Sequence, residues 1–208
     1  GGARKSGIDY LRKTYPDGFA VCGADALRCT LLSYSPQTTK IALSIKRIEG
    51  YRNFCNKLWN AARFALISAG EAASARTESD ESGEQTRGDG ISGGGTAPAP
   101  SAFANRWVLS RLGAAIETAR KGLDEYRLDE SMNALYHFVW HELCDWYLEL
   151  SKPLFASDDA RLGQETRATL LHALDSSLRA LHPMMPFITE EIWQRTPRPA
   201  NAPPTIVI

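Results

Sequence analysis

Asn53, Asn56, Lys57, Asn60, Arg63 and Phe64 fall within twelve positions of one another, inside a stretch that otherwise reads as an apolar helix. On a wheel of about 100° per residue, Asn53, Lys57, Asn60 and Phe64 share a narrow arc with Asn56 and Arg63 to one side, opposite a stripe through Cys55, Trp59 and Ala62. One face therefore mixes amides, an ammonium, a guanidinium and a ring. A plain solvated face is the competing reading, but such faces carry Glu and Lys more often than repeated Asn, a poor helix former. No acidic residue lies between Tyr51 and Ala69 to neutralise the cations. Unpaired cations beside amides and a ring suit a ligand with negative charge, flat faces and hydrogen-bonding edges. Unstacked RNA bases and their phosphates have all three. A helical protein-interaction module using the same face is the alternative, and salt dependence separates the two.

Other residues capable of chemistry carry less. His137 and His141 stand four apart, a zinc-ligand spacing, but no Glu adjoins the first as in H-E-x-x-H, so they read as partly buried structural histidines. The aromatics Tyr136, Phe138, Trp140, Trp146 and Tyr147 sit at helical spacing and read mostly as core. Asp145 reads as a partner for a cation or a helix end. Asp25 could cap its own helix, with Arg28 as a structural pair. The four cysteines form no C-x-x-C pair, so neither a metal nor a disulfide is implied, and Cys55 and Cys144 read as small buried hydrophobes typical of a reducing compartment.

The elements that must position these groups follow from pattern. The 208 residues are 43% hydrophobic and 23% charged, ordinary for a soluble globular protein. Net charge is zero but uneven: residues 1–70 hold 11 Lys/Arg against 4 Asp/Glu, and residues 71–208 hold 13 against 20. A basic first third suits phosphate binding; "ARKSG" and "YLRKTY" near the start could touch such a surface. No apolar run approaches a membrane span and no charged-then-apolar leader opens the chain, so the expected location is cytoplasmic. The opening Gly1-Gly2, followed at once by mid-domain sequence, suggests a piece of something larger.

Residues 1–43 read as a short connector, with a turn at Pro16 to Gly18, a helix from about Ala24 to Ser33 and an extended piece at 36–43. Residues 44–195 read as a mainly α antiparallel helical bundle. Its first helix, Ser44 to about Ala69, shows Ile45, Ile48, Cys55, Trp59, Ala62 and Leu66 at three- and four-residue steps. Residues 70–101 are low in large apolar groups and read as a disordered loop. Four helices follow, about Ala104–Gly122, Asp129–Ser151, Asp158–Leu181 and Pro186–Arg195, with Asp129 and Asp158 as N-caps and Pro153 and Pro183 just past helix ends. Residues 196–208 read as a Pro-rich extended tail.

Four segments carry a resemblance. "RIEGYRNFCNKLWNAARF" at Arg47 to Phe64 is similar to the first helix of the anticodon-binding domain of valyl-tRNA synthetase, a class I aminoacyl-tRNA synthetase family. "GADALR" at Gly23 to Arg28, "ALYHFVWHELCDWYLELSKP" at Ala134 to Pro153 and "HPMMPFITEEIWQR" at His182 to Arg195 resemble the same family in the same order. Isoleucyl and leucyl relatives share the bundle but usually not the full runs, and they remain the alternative branch. The resemblance implies a bundle that receives the anticodon loop of valine tRNA, preceded by the end of the stem-contact region. It places Lys57, Asn60, Arg63 and Phe64 where anticodon bases dock, the aromatic as a stacking surface, with Arg52 and Asn53 nearby. It implies tRNA as partner, with neither DNA nor membrane, a monomeric fragment, and ATP and magnesium for the full-length parent only. The family's two catalytic signatures, His-Ile-Gly-His and Lys-Met-Ser-Lys-Ser, are absent from these residues, so no catalytic residue, metal or cofactor is expected here and the fragment alone should not aminoacylate. The loop at 70–101 is longer than that connection calls for.

Overall fold

The computed structural model describes residues 2–16, 18, 21–34, 43–80, 100–197 and 203–206. All regular structure among them is helical: α1 (Gly2–Thr14), α2 (Ala24–Leu32), α3 (Ile45–Asp80), α4 (Phe103–Asp124), α5 (Leu128–His137), a π-helical segment (Phe138–Tyr147), α6 (Leu148–Phe155), α7 (Ala160–Leu181) and α8 (Pro186–Arg195). The mainly α bundle read from the pattern is the fold. It is built from α3, α4, the continuous α5–π–α6 rod and α7, with α2 against α3 and α8 packed on α7, α3 and α2.

α3 turns Ile48, Tyr51, Phe54, Leu58, Ala61, Ala62 and Ala65 into the core. They meet Phe138, Leu143 and Tyr147 from the rod and Leu170, Leu174 and Leu178 from α7. Each large side chain so buried contributes about 1.5–3 kcal/mol relative to exposure. The core stripe on α3 is thus centred on Phe54 and Leu58, while Cys55 and Trp59, placed at its centre by the periodicity, are half-buried flanks. Consecutive long helices alternate in direction, so α3 and the rod run the same way. Tyr51 meets Tyr136, and thirteen residues on, Phe64 meets Phe155. Gly122 lets α4 and α5 close on each other: a Cβ there would lie 2.4 Å from Ser131 Oγ and 2.9 Å from the Arg127 carbonyl.

Several boundaries depart from the pattern reading. The N-terminal connector contains a helix, α1, and α3 continues through Asp80, eleven residues into the stretch assigned to the loop. Ala72, Ala73 and Ala75 are strong helix formers, and a helix already propagating adds a bond for each residue fixed. Residues 81–99, most of the remaining loop, lie outside the described residues, as do 35–42 and 198–202. Pro153 lies inside α6 rather than beyond a helix end. Arg127 holds the cap position of α5, and Asp129 sits in its first turn, 3.7 Å from the Arg127 guanidinium. Asp159, not Asp158, caps α7, accepting from the Arg161 and Leu162 amides. The tail does not simply trail: at its described end, Gln194 donates to the Pro204 carbonyl, the Ile206 amide donates to Glu190, and Ile206 is buried.

Two polar joints hold the frame. Asp25 is buried and accepts from the Phe187 and Ile188 amides, so it caps α8 and not its own helix, while Arg28 donates to the carbonyls of Met184 and Pro183. The "GADALR" and "HPMMPF" segments are therefore one clasp, closing the end of α8 that lacks a side-chain cap of its own. At the other joint Glu165 of α7 accepts from the amide and hydroxyl of Ser101, the amide of Ala102 and the side chain of Asn105, supplying the cap that Ala102 cannot. Fully buried Asn105 also accepts from the Tyr147 hydroxyl, linking α4 and α7 to the π-helical segment.

Candidate nucleic-acid interface

The outward face of α3 carries Asn53, Asn56, Asn60 and Arg63, all exposed and without a hydrogen bond or ion pair among the described residues. They share that face because helical periodicity places it opposite Phe54 and Leu58. Arg52 is half-buried on the flank.

Lys57 and Phe64 stand on the other flank, toward the rod, and both differ from their sequence reading. Lys57 is not an unpaired cation. Its ammonium makes a short charged hydrogen bond to the Asp145 carboxylate and lies 4.2 Å from the Trp140 ring centroid. The other Asp145 oxygen is 3.2 Å from His141 Nδ1. Burial pushes Asp145 upward, but the Lys57 hydrogen bond and charge and then His141 outweigh it, and the carboxyl sits below its ordinary range. Phe64 is half-buried with its ring 6.2 Å from that of Phe155, which has the Arg167 guanidinium 5.5 Å from its own centroid. The Phe64 ring is therefore no free platform; it is part of the seam between α3 and α6. The remaining calls, Asn53, Asn60 and Arg63, face outward as expected.

Residues that the helix wheel could not supply complete the surface. Trp140 stacks on Tyr136 at 5.5 Å and 21°, and Phe54 lies beneath both. Trp146, assigned to the core by its spacing, is 63% exposed. His137 and His141 are exposed rather than partly buried, with ring centroids 5.0 Å apart, and among the described residues no group of metal-ligating side chains could hold an ion. Trp140, His141, Asp145 and Trp146 are carried by the ten-residue π-helical segment with its wider turn, an uncommon feature frequent at functional sites, while Tyr136 and His137 close α5 just before it. Of the two readings open for Asp145, partner of a cation or of a helix end, the structure shows the first, with Lys57 as the cation. On the far flank a groove of about 500 Å³ opens between α3 and α8, lined by Trp59, Arg63, Leu66 and Arg195 among others, with Arg195 5.1 Å from the Trp59 centroid. The thiols take no part: burial pushes Cys55 up to about 11 and Cys144 up to about 12, which keeps them protonated and inert.

This arrangement can bind a polyanion with planar edges. The model of the family described as the anticodon-binding domain of tRNA ligase matches residues 105–207, and the chain belongs to that family. Within it the similarity is to valine–tRNA ligases. The chain is 45% identical over 192 residues to the valine–tRNA ligase of Legionella pneumophila and 44% identical over 184 residues to that of Stenotrophomonas maltophilia. These alignments take in 89% and 88% of this chain but 18% and 17% of the relatives, so the chain spans less than a fifth of their length. The fold is shared with a leucyl enzyme, LeuRS of Agrobacterium radiobacter, solved in a ternary complex with tRNA and LeuAMS. That match has a TM-score of 0.56 at 16% identity and covers 83% of this chain and 18% of that one. Among the described residues no helix is long and apolar enough to cross a membrane.

Proposed function

We propose that the outward face of α3 docks the anticodon loop of a tRNA, and that the tRNA is a valine isoacceptor. The observation that carries this is the row Asn53, Asn56, Asn60 and Arg63: four exposed hydrogen-bonding side chains with no partner among the described residues, on a helix that spends poor helix formers to present them. Asn amides and the Arg63 guanidinium match base edges, and the guanidinium also matches phosphate. Lys57, held by Asp145 over Trp140, supplies a positioned cation on the rod side, with exposed Trp146 available for stacking and half-buried Phe64 beside the row. Each base stacked contributes about 1–3 kcal/mol. Arg52 adds charge from the opposite flank.

In the whole ligase this docking would restrict valine attachment to the matching tRNA in the cytoplasm. ATP and magnesium would be requirements of that ligase, served by parts that this chain does not include. The chain itself would act by binding, as a monomer.

The test is a comparison of RNA hairpins that differ only in the anticodon, bound by the chain and by Asn60→Ala and Arg63→Ala. A valine anticodon should bind at least tenfold tighter than a changed one, and the two variants should erase most of that preference. Equal affinity for every anticodon would end the specificity reading, and binding indifferent to salt would point instead to a protein partner.

A further inference from the structure

A groove of about 480 Å³ runs between α3 and α5, lined by Arg47, Gly50, Tyr51, Asn133, Tyr136 and His137. It lies two turns before the Lys57 position on α3, and the two places are joined along the rod. Tyr136 stacks on Trp140, over which Lys57 lies, and His137 touches His141, which touches Asp145. Gly50 and Lys57 are separated by about 10 Å along the helix axis. That is about three steps of a stacked strand at roughly 3.4 Å each.

Gly50 is the telling residue. It sits inside a helix, where glycine is unfavourable relative to alanine. The fold does not ask for it: its backbone is ordinary helix, and a Cβ there would meet nothing within 4 Å. Its effect is to leave the groove floor bare, so that a bulky backbone can approach α3 closely. Beside it the Arg47 guanidinium is exposed, rests 4.9 Å from the Tyr34 ring centroid and has no carboxylate partner among the described residues. Exposed Asn133 and His137 stand on the opposite wall. A bare floor, a cation held by a ring at one lip, and an amide and imidazole at the other fit a sugar-phosphate with its base.

We infer that this groove is a nucleotide subsite for the RNA strand docked on α3, taking a nucleotide outside the anticodon, with its phosphate on Arg47 and its sugar over Gly50. The inference rests on the RNA-binding role proposed above and extends it: this subsite adds affinity without reading the anticodon, because phosphate contacts position a nucleic acid while base-edge contacts specify it.

The test uses the whole chain and two RNA hairpins, one with a valine anticodon and one with a changed anticodon, titrated at several salt concentrations. Gly50→Leu fills the groove and favours the helix, so its melting temperature should hold or rise while affinity for both hairpins falls about tenfold. Arg47→Ala should weaken both by about three- to tenfold and lower the salt slope by about 0.7–0.9. Neither variant should change the ratio between the hairpins, whereas Asn60→Ala should. If the hairpins are discriminated but Gly50→Leu and Arg47→Ala bind like wild type, the subsite is wrong and the anticodon reading survives. A Gly50→Leu protein that loses discrimination as well places the groove within anticodon reading and overturns the inference. Absence of RNA binding by the wild type removes both.

Discussion

Glu165→Gln removes a charge that holds two helices in place, and the size of its effect can be worked from the site. Burial raises the Glu165 carboxyl, but hydrogen bonds from the Ser101 amide and hydroxyl, the Asn105 amide and the Ala102 amide overcome it and bring the carboxyl from 4.5 to about 2. A displacement of that size corresponds to a ceiling of about 3 kcal/mol of folding free energy. Glu165 keeps part of its surface in water, so screening reduces this to about 1–2 kcal/mol. A carboxyl held below its unfolded value stabilises the fold above that unfolded value, and the contribution is lost as pH falls toward the folded one. The window here is pH 4.5 down to about 2. Urea unfolding of wild type and Glu165→Gln should therefore differ by about 1–2 kcal/mol near neutrality, with more than half of the difference gone by about pH 3. Because Asn105 also receives Tyr147 from the π-helical segment that carries Asp145, the variant should loosen the Lys57 contact and weaken RNA binding modestly. A difference that stays constant with pH, or widens as acid is added, would refute the assignment of charge at this joint.

Asp145→Asn should cost only about 0.2–1 kcal/mol of stability, since the Lys57 pair is partly exposed. It should raise RNA affinity at low salt and steepen the salt slope, because Lys57 gains a free charge; Lys57→Ala should do the opposite, as salt-dependent titration would show. Gly122→Ala should destabilise by about 1–3 kcal/mol, read as a lower urea midpoint, because its Cβ meets Ser131 and the Arg127 carbonyl and forces α4 and α5 apart. Gly50→Ala, by contrast, has open space and should raise the midpoint. The pair separates a glycine kept for close helix approach from one that packing does not require.

What the chain of residues settled alone is local. The helical repeat from Ile45 onward, the outward turn of Asn53, Asn60 and Arg63, and the helix at Pro186–Arg195 need only a 3.6-residue period and a proline in the first turn, and all are present. The tertiary structure decided everything that depends on which helices meet and at what register. Lys57 finds Asp145 across 88 positions, Asp25 caps α8 across 162, and Phe64 is half-covered because Phe155 lands beside it. Periodicity says which way a side chain leaves its helix, not what stands opposite. That is set by how Phe54, Leu58, Phe138, Tyr147 and Leu174 interlock in the core, and a shift of one helical turn in that packing would give every one of these groups a different neighbour.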